Sequence, residues 1–65
     1  MLIYQCLFFT EDYVTYWENI ECQTDVDLLA ILRSRILSDG WTSGEAWLGE
    51  TLICRVHRIV PPGVV

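Results

Sequence analysis

Between Thr24 and Gly40 runs TDVDLLAILRSRILSDG, a stretch whose start, body and end all read as helix, with strand-forming segments on both sides. A chain with one helix between two sets of strands has few ways to bury its apolar residues. Thr24 suits the N-cap because its hydroxyl can accept from the backbone N–H of Asp27, itself a shorter version of the acid that closes a capping box. Asp25 and Asp27 put negative charge at the positive end of the helix dipole, and Arg33 and Arg35 lie toward the other end. Asp39-Gly40 stops the helix, because glycine takes the left-handed conformation without a Cβ clash. At about 100° per residue, Val26, Leu28, Leu29, Ala30, Leu32, Ile36 and Leu37 fill one broad arc, and Asp27, Ser34, Arg35 and Ser38 take the other side. Arg33 falls inside the apolar arc, where it is expected to snorkel at the edge, and Ile31 falls among the polar residues.

Leu2 to Phe9 is a continuous apolar run and Val14 to Cys22 a second run rich in strand formers, with Thr10-Glu11-Asp12-Tyr13 between them, which predicts an antiparallel hairpin. A two-residue turn puts Ile3, Leu7, Phe9, Val14, Tyr16 and Ile20 on one face. A three-residue turn with a bulge puts Leu2, Tyr4, Phe8, Val14, Tyr16, Ile20 and Cys22 there instead. Both registers bury Val14, Tyr16 and Ile20, and both leave a second apolar set containing Trp17 on the opposite face. After the helix, Trp41 to Gly44 reads as loop, and Glu45 to Leu48 and Thr51 to Ile59 read as strands joined by Gly49-Glu50, a type II′ signal. That turn puts Trp47, Leu52, Cys54 and Val56 on an apolar, helix-facing side, and Ala46, Ile53, Arg55, His57 and Ile59 on the outer side. The expected fold is α+β: a four-stranded antiparallel sheet in the order ββαββ with one helix packed on one face. It forms a single domain over residues 1–65, and Pro61-Pro62-Gly63 ends the last strand ahead of a loose tail over residues 61–65.

The net charge of −5 is unevenly spread, since the first 32 residues hold six acids and no Lys or Arg, and all four arginines come later. An acidic half repels phosphate backbones and anionic lipid surfaces, so no nucleic-acid or membrane partner is expected. The start, MLIYQCLFF, has no basic leader and meets Thr10-Glu11-Asp12 too early for a signal peptide or a membrane span. A cytoplasmic location is expected. Cys6, Cys22 and Cys54 are odd in number and widely spaced, which suits reduced, buried thiols. Cys54 and His57 have a C-x-x-H spacing, but residues three apart on a strand point to opposite faces, so no metal is expected there. His57 is the single histidine and no base partner for a nucleophile is visible; neither cofactor nor catalysis is expected.

The acid-opened helix cap Thr24-Asp25-Val26-Asp27 and the segment Glu45-Ala46-Trp47-Leu48-Gly49-Glu50, followed by the apolar strand Thr51 to Val56, carry a resemblance. The chain resembles a group of short, uncharacterised proteobacterial proteins of β-hairpin, helix, β-hairpin order. The resemblance implies the ββαββ fold and brings no activity with it.

Function follows from counting faces. One helix covers one face of a four-stranded sheet, and the other carries Trp17 with apolar neighbours, an exposed patch larger than soluble monomers usually tolerate. The expectation is a non-catalytic acidic domain that forms a homodimer and binds a protein partner, with Trp17, Ile53, Arg55, His57 and Ile59 at or beside the interface. An alternative is a small phage-type or regulatory inhibitor that masks a basic nucleic-acid-binding surface by charge mimicry. A more distant one is a small-molecule groove on the sheet.

Overall fold

The computed structural model describes residues 2–58, so Ile59 and the tail over residues 61–65 lie outside the described residues. Strands β1 (Leu2–Thr10) and β2 (Tyr13–Cys22) form the first hairpin, α1 (Asp25–Asp39) follows, and β3 (Ser43–Leu48) and β4 (Thr51–His57) form the second. They make one four-stranded sheet in the order β2-β1-β3-β4, and every neighbouring pair is antiparallel. This is the expected α+β, ββαββ architecture. Because β2 and β3 both run antiparallel to β1, they are parallel to each other, and a parallel pair needs a crossover; α1 supplies it.

The helix ends follow their local chemistry. The Thr24 hydroxyl accepts from the Asp27 N–H at 3.1 Å, and Gly40, at φ 75°, donates its N–H to the Ile36 carbonyl at 3.0 Å. Leu28, Leu32 and Ile36 drop from α1 onto Tyr4, Cys6 and Phe8 of β1, with Cys22, Ala46 and Val56 completing a core in which no side chain is more than 8% exposed. Gly44 lets the layers approach, since a Cβ there would lie 3.2 Å from Phe8 Cδ1 and 3.3 Å from Ile36 Cδ1. It belongs to β3, two residues of which were expected as loop.

The helix is rotated from its expected setting. Val26 and Leu37 are 74% and 61% exposed and Ala30 is exposed, whereas Ile31 packs on the core and Arg35 is half-buried. Arg33 is exposed, facing away from the sheet's centre. The rotation is stable because Arg35 finds a carboxylate and aromatic rings beneath it, as described below.

Two bulges decide which residues face the helix. In the first hairpin the turn holds two residues, Glu11 and Asp12, as in one expected register, but Phe8 pairs with Tyr16 and Phe9 with Val14, so Thr15 is the extra residue of a bulge. The helix-facing set is therefore close to the other register: Tyr4, Cys6 and Phe8 with Tyr16, Glu18, Ile20 and Cys22. Val14 and Tyr16, both expected to be buried, are not: Val14 pairs with Phe9 on the outer face, and Tyr16, although on the helix-facing side, is 42% exposed. Glu11 takes the positive-φ corner of the turn at 57°. Thr42 holds that corner: its Oγ1 accepts from the Glu11 N–H at 2.9 Å and donates to the Phe9 carbonyl at 3.0 Å.

In the second hairpin, Gly49 has the positive φ of 63° that a first turn position asks for. A bulge at Ile53 then makes Ala46 pair with Cys54 while Trp47 pairs with Leu52. The extra residue reverses the side-chain phase between Leu52 and Cys54. Ala46 is thus in the core, and Trp47 and Leu52 lie on the outer face, the reverse of the expected assignment. Ile53, expected outside, packs against the core.

Candidate functional site

The face of the sheet turned away from α1 is organised in rows by the strand registers. One row runs across all four strands as Trp17, Leu7, Glu45 and Arg55, and the next as Asn19, Gln5, Trp47 and Leu52. A third carries Val14, Phe9, Ser43 and His57, and Ile3 stands beside Glu21 at the far end. Nothing in the described residues covers this surface. Ile3 is 60% and Trp17 56% exposed, Val14 and Leu52 are exposed, and Leu7, Phe9 and Trp47 are half-buried by their own neighbours.

Glu45 is the charged residue in the middle of this face, and it is only 5% exposed. Trp47 Nε1 donates to its Oε1 at 3.1 Å, and Arg55 Nε donates to its Oε2 at 2.8 Å while the same guanidinium closes an ion pair. Burial pushes the Glu45 carboxyl up, but the Arg55 and Trp47 hydrogen bonds outweigh it and hold the group below its ordinary value. Neutralised in this way, Glu45 adds no net repulsion to the apolar surface around it.

Of the residues expected at an interface, Trp17, Arg55 and His57 share this face, with Trp17 on β2 at one side and Arg55 and His57 on β4 at the other. Ile53 is turned to the core and Ile59 is outside the described residues. Leu52, Trp47 and Val14 were missed because the bulges that bring them here have no sequence signature strong enough to read. For Leu7, Phe9 and Ile3 a signal existed: Gln5, the polar residue inside β1, marks the odd positions as the outer ones.

The helix-facing side carries a second charged cluster. Arg35 pairs with Glu18 on β2 and, at 3.4 Å, with Asp39 one turn on. Its guanidinium lies 5.7 Å from the Phe8 ring centre and 5.9 Å from those of Tyr16 and Trp41, with the Phe8 and Trp41 rings stacked at 4.4 Å. Burial disfavours the charged guanidinium, yet Glu18 and Asp39 raise its pKa overall, so it stays an ion. The cluster clamps α1 to the sheet.

Other chemistry is poorly served. Burial raises the pKa of all three thiols, that of Cys6 to about 12, so they are held protonated and unreactive. Cys54 faces the helix side and His57 the outer side, and among the described residues no group of His, Cys, Asp and Glu is placed to hold a metal ion. No described helix is long and apolar enough to cross a membrane. No family model matches the chain, and neither a curated protein nor a solved structure does.

Proposed function

We propose that the protein is a non-catalytic interaction domain whose outer sheet face packs against a second copy of the same chain, the dimer being the form that meets a protein partner. The observation that carries this reading is the uncovered apolar face centred on Trp17, Leu7 and Trp47. Four strands about 4.8 Å apart and roughly six residues long, with side-chain relief, offer on the order of 500 Å² per copy. Two such faces approach the roughly 1,000 Å² at which specific interfaces begin. A 65-residue chain gains from that association the burial its own core is too small to supply.

A two-fold axis along the strands suits a second copy as the occupant, because it lays the Trp17 side of each face over the β4 side of the other, with Arg55 and His57 toward the rim. Edge pairing through β2 is a poorer route, because Glu18, Glu21 and the Thr15 bulge guard that edge. The charge-mimic reading fits less well. Asp12 and Glu21 are separated by roughly 30 Å of strand, and Glu18, Asp39 and Glu45 are tied to arginines.

The test is a pair of exposed-site variants, Trp17→Glu and Leu52→Glu. Each should abolish self-association while leaving the monomer's circular dichroism unchanged, and added salt should weaken the wild-type dimer only slightly. Full self-association in both variants would overturn the proposal.

A further inference from the structure

The chain's positive charge is unevenly employed. Of its four arginines, Arg35 is held by Glu18 and Asp39, and Arg55 by Glu45. Arg33 and Arg58 have no carboxylate partner among the described residues, although the chain carries nine acids. Yet these two arginines, 25 positions apart, line one cleft together with His57, and Ile36 and Leu37 supply its apolar wall. Its volume is about 100 Å³, the share of roughly three waters.

We propose that this cleft, between the C-terminal half of α1 and the end of β4, is a binding site for a compact oxyanion such as a carboxylate or phosphate group. Two arginines that line one small cleft with no carboxylate partner among the described residues raise the local positive potential, the reverse of the acidic field that the rest of the chain creates. Each offers a planar fork of donors matched to a carboxylate or phosphate edge. Ile36, which is 1% exposed, keeps water from one side and strengthens each ion pair that forms against it. The contrast with the wider cleft at the opposite end of α1 is instructive. There Glu21 and Asp27 line the walls with Cys22, Gln23, Ala30 and Ile31, and an anion would meet only repulsion.

The site lies between α1 and the end of β4, and does not use Trp17 or Leu52 of the proposed dimer face. The experiment is a titration followed by NMR of the arginine side-chain N–H groups, with inorganic phosphate and acetate as separate arms and sodium chloride at matched ionic strength as the reference. Saturating shifts at Arg33 and Arg58, with Arg55 unmoved because Glu45 already fills its fork, are expected with at least one oxyanion. The two arms separate phosphate from carboxylate as the preferred group. Arg33→Gln and Arg58→Gln, both at exposed positions, should each weaken binding about tenfold and leave the thermal transition in place. Shifts that never saturate or that chloride reproduces would overturn the site, as would an undiminished affinity at the remaining arginine of either single variant. Trp17→Glu should leave it intact, so failure of the dimer and failure of the site are distinguishable.

Discussion

Glu45 is unusual in being a carboxylate buried on the uncovered face of a sheet, and its tie to Arg55 and Trp47 makes that placement tolerable. Its folded pKa lies below the ordinary value of 4.5, so its contribution to stability is present above that pH and is lost as pH falls through the folded value. Glu45→Gln does not titrate. The variant should therefore be less stable than wild type by about 1 kcal/mol near neutrality, and the gap should close below pH 4.5, as read by urea unfolding across pH. A gap that widens on acidification would assign the pairing to the wrong residues. Position 45 was legible as a strand residue from its neighbours, but its burial was not, because that burial comes from Trp47 and Arg55 reaching over it across a register that the Ile53 bulge sets.

Helix α1 was readable at both ends and misread around its circumference. The caps are local, so Thr24 and Gly40 announce themselves; the rotation of the helix on the sheet is settled by what lies beneath each residue. Apolarity alone favoured Val26, Ala30 and Leu37, whereas the structure half-buries Ile31 and Arg35, because Glu18, Phe8, Tyr16 and Trp41 receive the guanidinium. Arg35→Lys keeps the charge and loses the planar stacking, and should cost about 0.5–2 kcal/mol in thermal unfolding. A neutral result would mean that the rings pack without help from the cation. Leu32 is fully buried at the centre of the arc. Leu32→Ala should remove roughly 2–5 kcal/mol, comparable with the whole stability of a core this size. Leu32→Asp should abolish cooperative unfolding, and a wild-type transition in that variant would contradict the placement of the helix.

The architecture as a whole followed from element order, since two hairpins and one helix admit a four-stranded sheet covered on one side. The composition of the uncovered side was harder to read, because single-residue bulges at Thr15 and Ile53 change which residues face outward. Trp17 keeps its outward position in either hairpin register, and for that reason it is the residue on which the account of assembly rests. Light scattering after gel filtration, run from low to high micromolar concentration, tests that account most directly. The expected result is twice the chain mass for wild type, falling to a single chain mass for Trp17→Glu with its helix and sheet intact. A single chain mass for wild type throughout that range would contradict it.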